Sequence, residues 1–108
     1  MTYTVVTTER AAREIEDTAA WWARERSVGQ AERWYQGIRA AIAELETAPD
    51  RWAIVPELQG LPYKVRERRF GLASKPTHRV LFTIVGQTVL VLTVRHTARK
   101  PLQPEDLT

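Results

Sequence analysis

The stretch that decides the fold is HRVLFTIVGQTVLVLTVRHTARK, residues 78–100. Two runs rich in β-branched residues, 78–85 and 88–96, are separated by Gly86-Gln87. A two-residue loop with glycine first is typical of a type II′ turn, so the pattern predicts a β-hairpin. The hairpin is apolar in its middle and cationic at its open end. These cations either keep that end of the sheet soluble or form a functional site.

Two amphipathic helices are predicted before the hairpin. The first runs from Thr8 to near Arg26, and the second begins at a capping box made by Ser27 and Gln30. The apolar stripes with helical spacing are Ala11, Ile15, Ala19 and Trp22, then Ala31, Trp34, Tyr35, Ile38, Ala41, Ile42, Leu45 and Ala48. Pro49 ends the second helix, because the residue before a proline is disfavoured in the helical region. We expect the tryptophans to pack the helices against each other and against a sheet.

Further strands complete an α+β order. Residues 3–6 (YTVV) predict a first strand, and residues 65–70 (VRERRF) predict a strand after an irregular connector, 50–64. The order β-α-α-β-β-β predicts a single domain over residues 1–108, with a helical hairpin packed on one face of an antiparallel sheet.

Composition excludes several classes of protein. The chain has 108 residues, no cysteine and two histidines, so we expect no disulfide, no thiolate catalysis, no metal and no cofactor. There is no apolar run of about 18 residues and no basic-then-apolar N-terminal signal, so we expect no membrane association and a cytoplasmic location.

Charge is divided unevenly along the chain. The net charge is +3; residues 1–50 carry six arginines against nine acidic residues, whereas residues 51–108 carry ten Lys or Arg against four. The asymmetry predicts a surface in the C-terminal half that faces a polyanion or an acidic protein. The alternative is that these cations only keep exposed strand edges soluble.

The hairpin turn allows cross-strand neighbours to be counted. Counting from the turn, Arg79 faces Val94 on one side of the sheet, and His96 follows on that same side. The opposite side carries the better apolar core, so we assign it to the helices, together with His78 and Arg95 at its end. Arg79 and His96 are therefore expected to be diagonal neighbours on the open face.

The strand over residues 65–70 could add to this pair, although its phase is undetermined. If Arg66 and Arg68 share the face of Arg79, three guanidiniums and the imidazole of His96 converge. Guanidinium groups match phosphate oxygens, and histidine can move a proton near neutral pH, so this cluster would suit RNA cleavage. Otherwise Arg66 and Arg68 only keep an edge strand soluble.

At these residues the chain resembles the RelE/ParE superfamily of bacterial toxins from type II toxin-antitoxin pairs. Residues 78–100 resemble the family ending YRVLY-x-I…G-x-x-V-x-VL-x-V-x-H-x-x-R, and the Trp/Tyr-bearing helical hairpin followed by VPEL (55–58) resembles the ParE-like branch. The resemblance covers nearly the whole chain. It implies a small basic protein, of the kind found in plasmid stabilisation systems, that arrests growth and is neutralised by an antitoxin wrapped around its surface.

RelE-like members of the superfamily cleave ribosome-bound mRNA with basic side chains on the open sheet face. The resemblance places Arg66 and Arg68 at two lysine positions of that site and Arg79 at its strand arginine. The C-terminal basic position is matched, with a shift, by His96 or Arg99.

The acid–base part of that site is incomplete. The tyrosine that RelE carries near its end has no counterpart in residues 101–108 (PLQPEDLT). An arginine cannot serve as an ordinary general base. His96 or Glu57 would have to act as the base, as in YoeB-like relatives.

ParE-like members instead bind DNA gyrase and need no catalytic residues, so the basic surface would bind an acidic partner. A degenerate toxin that only binds its antitoxin is a third alternative. The similarity of the hairpin as a whole favours the ParE-like branch, whereas convergence of the basic candidates on one face would favour mRNA cleavage.

Overall fold

The computed structural model describes residues 2–107. Its helices and strands are β1 (Thr4–Thr7), α1 (Glu9–Glu25), α2 (Val28–Ala43), β2 (Arg66–Phe70), β3 (His78–Val85) and β4 (Thr88–His96). This is the predicted element order. The second helix is shorter than expected, because a 3-10 turn over Glu44–Glu46 follows it. Within the described residues, no helix is long and apolar enough to cross a membrane.

The sheet has the strand order β1-β4-β3-β2. The last three strands form the predicted antiparallel meander, but β1 pairs with β4 in parallel, so the sheet is mixed. A parallel neighbour needs a long crossover connection, and the helical hairpin that leaves β1 supplies part of it.

Both helices begin at side-chain caps. The Thr8 hydroxyl accepts a hydrogen bond from the backbone N–H of Ala11 at 3.2 Å. The Ser27 hydroxyl accepts from the N–H of Gln30 at 3.1 Å, as the capping-box motif predicts. These caps fix the residues at which the two helices begin.

The main core lies between the helices and one face of the sheet. Its buried members are Ala11, Ile15, Trp34, Ile38, Ile42, Leu45, Val80, Phe82, Val89, Val91 and Val94. Trp34 is fully buried, which confirms that the regular stripe of the second helix is a packing surface. The assignment of Val80 and Phe82 to the helix side is also confirmed.

A second, smaller core covers part of the opposite face, which the sequence had suggested was open. It consists of Val55, Leu58, Val65, Leu81 and Leu102. The connector between α2 and β2 and the C-terminal segment fold over this face, so β3 is buried on both sides for most of its length.

A β-bulge in β4 changes the predicted register. Pairing follows the count from the turn as far as Phe82 and Val91, but the next pair is Leu81 with Thr93, which leaves Leu92 without a partner on β3. The carboxylate of Glu14 on α1 stabilises the bulged strand. Its Oε1 accepts hydrogen bonds from the Thr93 hydroxyl at 2.6 Å and from the Val94 N–H at 3.1 Å.

Beyond the bulge, each residue of β3 pairs with the β4 residue one position later than predicted, so the β4 side chains lie on the opposite face from the one predicted. Arg79 pairs with Arg95 rather than Val94, and His78 pairs with His96. The expectation that Arg79 and His96 share the open face is therefore wrong: His96 lies beside His78 on the helix side, and Arg95 joins Arg79.

Candidate functional site

The side chain of Arg79 lies on the same face of the sheet as the second core and is 7% exposed. Its Nη2 donates to Oε1 of Glu57 at 2.7 Å, and its Nε donates to Oε2 of Glu67. Burial disfavours the charged guanidinium, but the bonds to the two carboxylates outweigh it, so the pKa of Arg79 is raised. Arg79 is a fixed, compensated cation.

Glu57 is one of the two residues predicted as a general base, and its carboxylate is already held by hydrogen bonds. It lies in a 3-10 helix, Pro56–Leu58, so the connector is ordered at this point. One carboxylate oxygen accepts from Arg79, and the other accepts from the backbone N–H of Leu102 at 2.8 Å. The hydrogen bond from Arg79 lowers the pKa of Glu57, with burial opposing and the Leu102 N–H assisting. Such a carboxylate is poorly suited to accept a proton.

Arg95 is the neighbour of Arg79 that sequence reasoning missed. It is 6% exposed; its Nη1 lies 3.2 Å from Oδ2 of Asp106, and its Nη2 donates to the carbonyl of Lys100 at 3.0 Å. The C-terminal segment thus supplies its counter-charge. The count from the turn predicts Arg95 on the helix side, and the bulge moves it to the face of Arg79.

Arg66 and Arg68 do not join this cluster. They pair with Phe82 and Val80, whose side chains point toward the helices, so the three guanidiniums do not converge. The alternative phase of β2 is the one observed, and it turns Glu67 toward Arg79. An acidic residue in the middle of a basic strand was the signal that could have indicated this phase.

Both arginines are held by local acceptors. Arg66 Nη1 donates to the carbonyls of Asp50 and Trp52 at 2.9 and 2.7 Å. Arg68 Nη2 donates to Oε1 of Glu44 at 2.6 Å, and its guanidinium carbon lies 5.0 Å from the centre of the Trp52 ring. These contacts tie the edge strand to the end of the second helix.

The remaining candidates are His96 and Arg99. The His96 ring lies 5.2 Å from that of His78, and its Nδ1 accepts a hydrogen bond from the N–H of Ala98 at 3.0 Å. Arg99 is exposed in the turn after β4. The six predicted site residues are therefore spread over both faces of the sheet and its end.

His78 lies deeper on the helix side, against the ring of Trp34 at 5.1 Å. Burial, followed by the charge of His96, lowers the pKa of His78 from 6.5 to about 4. The ring is therefore neutral near pH 7.

Charges on the face of Arg79 are balanced. Three guanidiniums, of Arg69, Arg79 and Arg95, contact three carboxylates, of Glu57, Glu67 and Asp106. In this arrangement the cations are occupied by the protein's own anions. The arrangement can anchor the connector and the C-terminal segment.

Comparison with known proteins identifies the fold and the family. The structure is similar to that of a chromosomal ParDE system from P. aeruginosa, with a TM-score of 0.70 and 16% identity over 88% of this chain and 96% of that one. It is also similar to the toxin-antitoxin complex RelBE2 from Mycobacterium tuberculosis, with a TM-score of 0.57 and 20% identity over 89% of this chain and 99% of that one. At these identities the similarity concerns the fold.

A search of curated protein sequences gives no match. A family model described as the ParE toxin of the type II toxin-antitoxin system parDE matches residues 5–101, which is most of the chain. The chain therefore belongs to the ParE family, within the RelE/ParE superfamily, and is the toxin of a type II toxin-antitoxin system.

Proposed function

We propose that this toxin arrests bacterial growth by binding DNA gyrase, without chemistry of its own, whenever it is free of its antitoxin. The observation that carries the proposal is the pairing of buried Arg79 with Glu57 and Glu67. Membership of the ParE family points in the same direction.

Cleavage of mRNA would need a different arrangement. The cations must face the scissile phosphate, and a base must reach the ribose 2′-hydroxyl. Here Arg79 is buried and its charge is paired with two carboxylates. Arg66 and Arg68 point to the other side of the sheet, and Glu57 accepts two hydrogen bonds. Inhibition of gyrase by binding requires neither an unpaired cation nor a free base among these residues.

The proposed partner of the resting state is an antitoxin. The structural relatives come from a ParDE system and from a toxin-antitoxin complex. In this chain β1 is an edge strand, with Val6 43% exposed, and a groove of about 550 Å³ runs between β1 and the two helices. An extended segment could pair with that edge while its side chains enter the groove. We place antitoxin binding there, in the cytoplasm.

The second candidate is a RelE-like, ribosome-dependent mRNA endonuclease. It is favoured by the adjacent pair Arg79 and Arg95, two guanidiniums on one face. For this function the C-terminal segment would have to leave Arg95 on the ribosome and expose both cations. A toxin that has lost its activity and only binds antitoxin is the third candidate.

Induced expression of the chain without an antitoxin separates the three. The gyrase proposal expects growth arrest with filamentation and early loss of DNA synthesis, and purified toxin should inhibit supercoiling by gyrase. Early loss of protein synthesis with cut mRNA would refute it in favour of the nuclease. Unimpaired growth at confirmed expression would leave only antitoxin binding.

Arg79→Lys and Arg99→Gln provide matched variants for this assay. Arg79→Lys keeps a buried cation but loses the two-sided contact with the carboxylates, whereas Arg99 is exposed. Toxicity that follows the folded fraction of each variant supports binding. A folded Arg79→Lys toxin that no longer arrests growth or cuts mRNA would support the nuclease.

A further inference from the structure

A cavity of about 480 Å³ lies at the tip of the helical hairpin, on the helix side of the sheet. One wall is formed by α1 and the turn after it, and the other by the ends of β3 and β4. Its lining residues are Asp17, Thr18, Trp21, Trp22, Arg26, Thr77, His78 and His96. The face of Arg79 is on the other side of the sheet, so this cavity lies apart from the residues on which the proposed function rests.

Aromatic rings form both walls. The rings of Trp21 and Trp22 meet edge to face, with centroids 5.4 Å apart. The imidazoles of His78 and His96 are arranged similarly at 5.2 Å. Trp21 is 43% exposed, which is unusual for so large an apolar side chain. The volume lies within the range of about 300 to 1,000 Å³ that is typical of small-molecule sites.

His96 contributes a hydrogen-bond donor of known position. Because its Nδ1 accepts from the N–H of Ala98, the N–H of the ring that can donate is at Nε2. Within residues 2–107, the Nε2–H has no acceptor. A ligand atom with a lone pair would complete its hydrogen bonding.

Arg26 contributes a cation at one end of the cavity. Its guanidinium carbon lies 5.9 Å from the centre of the Trp21 ring. Across the described part of the chain, the guanidinium has neither a carboxylate nor a carbonyl partner. Asp17 also lines the cavity, but it precedes Arg26 by nine residues, about 13 Å of helical rise. The cavity is therefore cationic at the hairpin turn and anionic at the far end.

We propose that this cavity binds a small aromatic anion, with its ring against Trp21 and its anionic group at Arg26 and the Nε2–H of His96. A flat ring suits walls of indole and imidazole. A carboxylate or a phosphate would satisfy both unpartnered donors through charge-assisted bonds. The two natural sources of such chemistry are an aromatic carboxylate and a nucleotide.

Isothermal titration calorimetry on the 108-residue chain tests the proposal. The protein is made by cell-free synthesis so that toxicity does not limit the yield. The probes are indole-3-acetate, AMP and tryptamine, the last having the indole ring with a positive charge. We expect at least one anion to bind, and tryptamine to bind roughly tenfold more weakly or worse. Tighter binding of indole-3-acetate identifies the carboxylate source, and tighter binding of AMP the nucleotide. Equal binding of tryptamine, or no binding of either anion, overturns the proposal.

Two substitutions locate the site. Arg26→Gln should weaken binding of the anion roughly tenfold and remove the preference over tryptamine. Arg24→Gln is the matched control, since Arg24 is an exposed cation two residues earlier, in the last turn of α1 and outside the cavity, and it should change nothing. Trp21→Leu should weaken binding of every ring, with folding checked by circular dichroism. Equal effects of the two arginine substitutions would contradict the assignment.

Discussion

Arg79 and Arg95 are direct cross-strand partners on one face of the sheet, and both are buried. Like charges directly opposite each other destabilise a sheet. The pair is tolerated because Glu57 and Glu67 contact the first guanidinium and Asp106 contacts the second. The carboxylates also bind the connector and the C-terminal segment to the sheet, so the cluster holds together three separate parts of the chain.

Glu57→Gln should therefore destabilise the protein by about 1 to 3 kcal/mol, because it removes one of the two anions that compensate buried Arg79. Urea unfolding at pH 7 measures the change. Glu32→Gln on the exposed side of α2 is the control and should stay within about 0.5 kcal/mol of the parent. Equal stability of the two variants would show that Glu57 does not carry this role.

The sequence predicts the elements of this fold well, and the reason is local. Capping at Ser27, the helical stripes and the Gly86-Gln87 turn all depend on neighbouring residues. The register of the hairpin beyond Phe82 does not depend on neighbouring residues alone. The bulge at Leu92 is stabilised by Glu14, 80 residues before the Val94 amide that it binds, and no pattern within the hairpin reveals that contact.

The expectation that Arg79 and His96 share the open face is wrong for a related reason. The candidate arginines were recognised as unusual cations, but their faces depended on the bulge and on the phase of β2. Once both are known, Arg79 joins Arg95 and leaves Arg66 and Arg68 on the other side. Basic residues in neighbouring strands thus indicate a shared site only when the cross-strand partner of each residue is known.

Stability should fall as the pH is lowered from about 6.5 toward 4, because His78 is neutral in the folded protein with a pKa lowered to about 4. The unfolded chain binds a proton near pH 6.5, whereas the folded protein does not, so stability is fully present above this window. With allowance for solvent screening, the free energy of unfolding should be roughly 1 to 2 kcal/mol lower at pH 5 than at pH 7.

His78→Gln should remove most of this slope, which urea unfolding at the two pH values measures. His96→Gln should retain most of it, since burial is the larger cause of the shift and the charge of His96 the smaller. Glu57 titrates below its ordinary value of 4.5, so it contributes little between pH 5 and 7. An unchanged slope in His78→Gln would assign the pH dependence to other groups.

Gly37 allows the edge strand to approach α2. A Cβ atom at this position would lie 2.4 Å from Cζ of Phe70. Gly37→Ala should cost about 1 to 3 kcal/mol through overpacking, even though alanine is the better helix former. Thermal or urea unfolding measures the loss.

Gly29→Ala is the matched control for that substitution. It lies on the same helix, and its nearest atom outside the local backbone, Oγ of Ser27, is 3.9 Å from the added Cβ. It should stabilise the protein by about 0.5 kcal/mol. Combining Gly37→Ala with Phe70→Leu should recover part of the loss, whereas a Gly37→Ala variant as stable as Gly29→Ala would rule out the clash.

Glu14 tests whether the bulge depends on a contact from outside the sheet. In Glu14→Ala the Thr93 hydroxyl and the Val94 N–H lose their shared acceptor, so the free energy of unfolding should fall by about 1 to 3 kcal/mol. Hydrogen exchange at the Val94 amide should accelerate more than exchange at Val89, which lies on the regular side of the bulge. Glu16→Ala, an exposed position on the same helix, should change neither quantity. If exchange at the two amides rises equally, Glu14 stabilises the domain as a whole and the bulge has its origin within the hairpin.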